Sequence, residues 1–189
     1  MKIKQIESIL KNSKNITVLN SAEGQWLGNG AAYYPVYNLP TLTKEHIFAM
    51  FDIPEDKRAK FFFTEAPTPD HINFTDIDDC ENAIKKLKIA LDVNGYSVTL
   101  LETSQGLVCI NRQLLKPFQG LREGYELYER FSRKQGIYIA VKSGFSLVGI
   151  IMPLSIINGE FVQEIEHITR LAKFALSDKS PDNQCSMCK

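Results

Sequence analysis

At 189 residues, with 44% hydrophobic and 23% charged positions, the chain has the composition of a globular protein that can bury a sizeable core. Its formal net charge is zero, so no overall field draws it to nucleic acid or to an anionic membrane, and any such site has to be a local patch. The first residues break apolar character too often for a signal peptide, no stretch is long and apolar enough to span a bilayer, and the four cysteines are too few for a disulfide scaffold, which together predict a cytoplasmic protein.

Ile3, Ile6, Ile9 and Leu10 recur at three- and four-residue spacing and predict a short amphipathic helix. NITVLN then reads as a strand, with a turn at 21–24. GQWLGNG and AAYYPVYN read as two strands joined by the glycine-rich turn at Gly28, Asn29 and Gly30, with Pro35 forcing an edge or a bulge. LGNG lacks the Lys-Ser/Thr of a phosphate loop, so it is read as a turn. Thr43 is a candidate N-cap for a helix over KEHIFAMF, and IPEDK follows as a turn. KFFFT reads as a strand, 64–79 as a loop, and 79–86 as a short helix.

From residue 88 the pattern is strand-rich. Asn94-Gly95 between KIALDV and YSVTLLE is the strongest hairpin signal, because that dipeptide accepts the positive φ of a type I′ turn. LVCINR, YELYERF, IYIAVK and FSLVGIIM continue the series, with a loop around Pro117 and Gly120, and their short spacing predicts an antiparallel meander. A final helix over 159–176 aligns Phe161, Ile165, Ile168, Leu171, Ala172 and Ala175 on one face that can cover the sheet. The fold expected is therefore α+β: an antiparallel sheet covered by a long C-terminal helix, with an N-terminal helix and a small hairpin. Residues 1–176 are read as one domain with a possible N-terminal subdomain at 1–63, and 177–189 as a disordered tail.

No catalytic signature stands out. The histidines His46, His71 and His167 are far apart, and neither GxSxG nor HExxH occurs. The Cys185–Cys188 pair could contribute two zinc ligands, but no second paired spacing supplies the other two, so no metal and no cofactor are expected. Asp76, Asp78 and Asp79 could ligate metal in a nuclease, though without a second carboxylate motif. Trp26, Tyr33, Tyr34 and Tyr37 gather around the first hairpin, where they either pack the core or anchor an interface.

Charge is segregated along the chain. Residues 61–84 hold six acids, Glu65, Asp70, Asp76, Asp78, Asp79 and Glu81, and no Lys or Arg. Residues 112–142 hold seven bases, including Arg112, Arg130, Arg133 and Lys134, against three acids, interleaved with Tyr125, Tyr128 and Phe131. An acidic stripe can imitate a phosphate backbone and compete for a basic cleft, whereas a basic–aromatic strand can hold single-stranded nucleic acid. Both stretches can equally be solvated faces.

Two segments, GQWLGNGAAYYPVYNLPTLTKEHIFAMFDIPEDK and IYIAVKSGFSLVGIIMP, resemble small proteins encoded by phages and mobile elements of gut Firmicutes, some of which are similar to anti-CRISPR inhibitors of type II RNA-guided Cas nucleases. The resemblance implies inhibition by binding the nuclease or its guide-RNA complex, with no catalytic residue to transfer. On that reading the acidic set, Glu65 to Glu81, is the partner surface. The alternative is a nucleic-acid-binding accessory protein of phage replication or regulation that uses Arg112, Tyr128, Arg130, Arg133 and Lys134.

Overall fold

A computed structural model describes residues 2–37, 39–93 and 95–177. It divides into two compact units, Met1–Leu154 and Ser155 onward.

The first unit is built on an eight-stranded sheet. Helix α1 (Ile3–Ser13) leads into β1 (Asn15–Ser21), β2 (Gly24–Gly28) and β3 (Ala32–Val36). Helices α2 (Lys44–Met50) and α3 (Glu55–Arg58) precede β4 (Phe62–Pro67). After a long loop come β5 (Asn82–Ala83), β6 (Lys85–Val93), β7 (Tyr96–Thr103) and β8 (Gly106–Asn111). A 3-10 helix (Arg112–Phe118) then introduces β9 (Glu126–Ser132), β10 (Gly136–Ser143) and β11 (Ser146–Ile151). The large sheet runs β4-β1-β2-β3-β11-β10-β9-β5, while β6, β7 and β8 form a separate three-stranded sheet.

Two meanders, β1-β2-β3 and β9-β10-β11, each enter from a helical segment and join edge to edge where Tyr33 pairs with Ile150 and Ala32 with Ile151. The two helical segments meet as well: the Lys2 N–H donates to the Pro117 carbonyl at 3.1 Å. The unit is thus a helix-plus-meander arrangement repeated in topology, with no repeat visible in the residues.

Period-two alternation gives the large sheet two apolar faces. Ile139 and Val141 on β10 join Ile16, Val18, Leu27 and Tyr34 on one face, under Ile6 and Leu10 of α1, Ile47 and Phe48 of α2, and Leu114 and Phe118 of the 3-10 helix. Tyr138 and Ala140, the intervening residues, join Leu19, Trp26, Leu147 and Ile150 on the other face. That second face is covered by Ile72 and Phe74 from the loop after β4. The Trp26 and Phe74 rings meet edge to face, with centroids 5.0 Å apart.

Several expectations hold. The β2–β3 hairpin forms, and Thr43 caps α2 by accepting the His46 N–H at 3.4 Å. Strands β6 and β7 pair antiparallel from Lys85↔Glu102 to Val93↔Tyr96, with Gly95 at φ 80°; Asn94 itself lies outside the described residues. Trp26 and Tyr34 are core residues, whereas Tyr37 is 56% exposed.

Others are corrected. The edge or bulge expected at Pro35 does not form: β3 is interior, between β2 and β11, and its register with β2 runs unbroken through Trp26↔Pro35, because Pro35 lies beyond the last β3–β11 pair, where its missing N–H costs no ladder bond. Residues 79–86 form no helix but the short β5 and the start of β6, because Asn82 and Ala83 are drawn into pairing with Glu129 and Tyr128. IPEDK continues into α3 after Pro54, and the loop expected around Pro117 is largely the 3-10 helix, N-capped by Asn111. The strands after residue 88 are not one meander: β8 and β9 belong to different sheets because the 3-10 helix carries the chain across between them.

The second unit contains α4 (Gly159–Ser177), the long C-terminal helix expected from the apolar spacing. Asn158 caps it, its Oδ1 accepting the Phe161 N–H at 2.9 Å. Phe161 is buried, and Ile168, Leu171 and Phe174 are exposed. The Cys185–Cys188 pair and the tail lie outside the described residues. No helix among the described residues is long and apolar enough to cross a membrane.

Candidate functional site

The acidic segment and the basic strand, far apart in sequence, meet in space. Alternation along β9 sends Tyr128, Arg130 and Ser132 to the sheet face that the 68–81 loop covers. Arg130 is 1% exposed there. Its guanidinium donates to three backbone carbonyls of the loop, those of Asn73 (3.2 Å), Thr75 (2.8 Å) and Asp76 (3.2 Å). It also forks onto Glu81 Oε2, from Nε at 2.9 Å and from an Nη at 2.6 Å. The other Glu81 oxygen accepts from Lys142 Nζ at 2.6 Å, and Lys142 Nζ sits 5.2 Å from the Tyr128 ring centroid. A buried arginine is tolerable only when its donors are satisfied, and here a planar fork meets a carboxylate and a curl of carbonyls.

Further bonds fasten the loop into a strap. Tyr138 Oη accepts the Asn73 N–H at 2.9 Å, and Asp76 Oδ1 accepts the Leu147 N–H at 2.6 Å. Asp78 accepts from Cys80 N–H and from Asn73 Nδ2. Burial alone would push the Glu81 carboxyl up, but the bonds and charges of Lys142 and Arg130 outweigh it and hold it below the ordinary glutamate range. Burial pushes the Tyr138 phenol up.

The residues expected on two surfaces are thereby sorted. Glu81 and Arg130 face each other instead of a partner, so neither charge is free at the surface. Asp76 and Asp78 fasten the strap through at least one oxygen each. Glu65, Asp70 and Asp79 are exposed, and none forms an ion pair among the described residues. Arg112, Arg133 and Lys134 are exposed, whereas Tyr128 is half-buried and donates to Glu126 at 2.8 Å. Among the described residues no group of three or more His, Cys, Asp or Glu is arranged to hold a metal ion.

A cleft of about 520 Å³ runs beside the strap, lined by Glu23, Asp70, His71, Asp78, Phe131 and Tyr138 among others. His71 Nε2 is buried there without a hydrogen-bond partner among the described residues.

Two residues escaped the sequence reading. Lys142 was counted among the bases but is buried. Glu129, 5% exposed, accepts the Ser104 N–H at 2.8 Å and Asn82 Nδ2 at 3.1 Å, tying β9 to the β7–β8 turn. The available signal was phase: in ELYERFS, Glu129 shares its face with buried Leu127, and a carboxylate in that phase needs partners. The chain matches no known family model, and comparison with curated proteins and with solved structures finds no match either.

Proposed function

We propose that the chain is a binding protein and not an enzyme, and that the acidic strap engages a basic macromolecular surface. The observation that supports this reading is the split of roles among the acids of β4 and the strap that follows it. Asp76, Asp78 and Glu81 hold the strap against the sheet, while Glu65, Asp70 and Asp79 stand exposed in a window without a lysine or arginine. A surface already ordered in the free protein loses little conformational freedom on binding.

The resemblance of residues 24–57 and 137–153 gives the partner: a type II RNA-guided Cas nuclease with its guide RNA, met in the cytoplasm of a bacterial host. Such nucleases hold a guide–target heteroduplex in a positive channel, where an acidic surface competes with DNA. The test is to mix the protein with a purified nuclease–guide complex, with and without target DNA, and follow co-elution and cleavage. Co-elution that target DNA prevents, with loss of cleavage at stoichiometric protein, supports the proposal. Absence of co-elution at low salt refutes it.

A second reading rests on the β9–β10 turn. Phe131 is 56% exposed and stands beside the exposed Arg133 and Lys134, a combination suited to stacking on and neutralising a single strand. Salt-sensitive binding of single-stranded oligonucleotide, lost on replacing Arg133 and Lys134, would favour that reading.

A further inference from the structure

A second cleft, of about 470 Å³, lies away from the strap, between α1, the β2–β3 turn, the start of β7 and the 3-10 helix. Its volume is that of a small-molecule site. Its walls are rich in side-chain amides. Gln5 and Asn12, two helical turns apart, share one face of α1; Asn29 comes from the β2–β3 turn; Asn111 and Gln113 come from the start of the 3-10 helix. Lys116 supplies one cation, half-exposed Tyr96 supplies an aromatic ring, and no carboxylate lines the cleft among the described residues.

The fold itself orients two of the amides. Asn29 Oδ1 accepts the N–H groups of Ala31 and Ala32, each at 3.1 Å. Asn111 Oδ1 accepts the Gln113 N–H at 2.9 Å. Asn29 Oδ1 thus has both lone pairs engaged and Asn111 Oδ1 one of its two, which fixes the two amides and leaves their –NH₂ groups for other partners. Among the described residues those two –NH₂ groups, the side chains of Gln5, Asn12 and Gln113, and the Lys116 ammonium make no hydrogen bond or ion pair. The cleft therefore offers several donors, one positive charge and one ring, and repels no anion through a carboxylate of its own.

We infer that this cleft is a binding site for a small organic anion that combines acceptor oxygens with a flat ring, the class being nucleoside monophosphates. The phosphate is matched by Lys116 and the amide donors, and the base by the ring of Tyr96. A free mononucleotide and the 5′-phosphorylated end of an oligonucleotide share this chemistry, and titrating each separates the two sources.

The test is calorimetric titration of the full chain with the four common nucleoside 5′-monophosphates, their unphosphorylated nucleosides, inorganic phosphate and a 5′-phosphorylated oligonucleotide. At least one phosphorylated nucleoside ligand should bind, with its nucleoside counterpart about tenfold weaker, and Lys116→Gln should weaken it by about the same factor. Asn29→Asp and Asn111→Asp are the sharper variants. Each keeps an oxygen that can accept the same backbone N–H groups, yet replaces a donor with a negative charge. Both should abolish binding without lowering the melting temperature. Lys116 is exposed, so its variant remains informative if an asparagine variant fails to fold. The inference is overturned if no phosphorylated nucleoside ligand binds at millimolar concentration, if inorganic phosphate binds as well as the nucleotides, or if folded variants at Lys116, Asn29 and Asn111 bind like the parent.

Discussion

Replacing Arg130 with methionine should unfasten the strap. Methionine keeps much of the apolar length of the side chain and removes the guanidinium, which makes five hydrogen bonds. Three loop carbonyls lose their Arg130 donor, and Glu81 keeps only Lys142. Removing one partner of a buried ion pair costs about 3–5 kcal/mol, because the charge left behind stays buried. For a protein of this size each kcal/mol moves the midpoint by about 2–4 °C, so the melting temperature should fall by roughly 10 °C. Thermal unfolding followed by circular dichroism measures this, and limited proteolysis should show cleavage gained within 68–81. The matched control is Arg133→Met, an exposed position where a change within about 0.5 kcal/mol is expected. If Arg130→Met costs less than about 1 kcal/mol, or leaves the strap resistant to protease, the guanidinium does not organise this loop.

Three further perturbations follow from the same geometry. The Glu81 carboxyl is held low in the folded state, so its contribution is present above the unfolded value of about 4.3 and lost as pH falls through the folded one; Glu81→Gln should flatten the acid limb of a stability–pH profile. The Tyr34 phenol donates to the Leu114 carbonyl at 3.0 Å inside the core, so Tyr34→Phe should cost about 0.5–1.5 kcal/mol in denaturant unfolding. A Cβ at Gly28 would lie 2.2 Å from the Ala32 carbonyl oxygen, a backbone atom, so Gly28→Ala should destabilise by about 1–3 kcal/mol, whereas Gly159→Ala, with open space around it, should not.

Some local signals are legible in the chain. Thr43 announced its helix because a hydroxyl at that position can take the N–H three residues on. Strand phases were legible wherever one face is core, as with Ile139 and Val141 against Tyr138 and Ala140. Long-range pairing was not legible. The parallel register of β1 with β4, Asn15↔Phe62 through Asn20↔Pro67, joins segments separated by two helices and leaves no local mark on either. The same holds for the site. Charge segregation was visible, but Glu81 and Arg130 are 49 residues apart, and nothing local shows that the two stretches neutralise each other at one point. Two surfaces were expected; three of the acids fasten a strap, and the exposed remainder is Glu65, Asp70 and Asp79 on one side and Arg112, Arg133 and Lys134 on the other.

That sorting sets the decisive variants. Reversing Asp76 or Asp78 would disturb the strap itself, so the charges to reverse are Glu65, Asp70 and Asp79. The measurement is the affinity of the Glu65→Lys/Asp70→Lys/Asp79→Lys protein for a nuclease–guide complex, at low and high salt, beside the parent and an Arg133→Glu/Lys134→Glu protein. Exposed pairs contribute about 0.2–1 kcal/mol each and are screened over roughly 8 Å at physiological ionic strength. The acidic variant should therefore bind about tenfold more weakly at low salt, the difference should shrink at high salt, and the basic variant should bind like the parent. Equal affinity of the acidic variant and the parent at both salt concentrations would contradict the acidic-strap account.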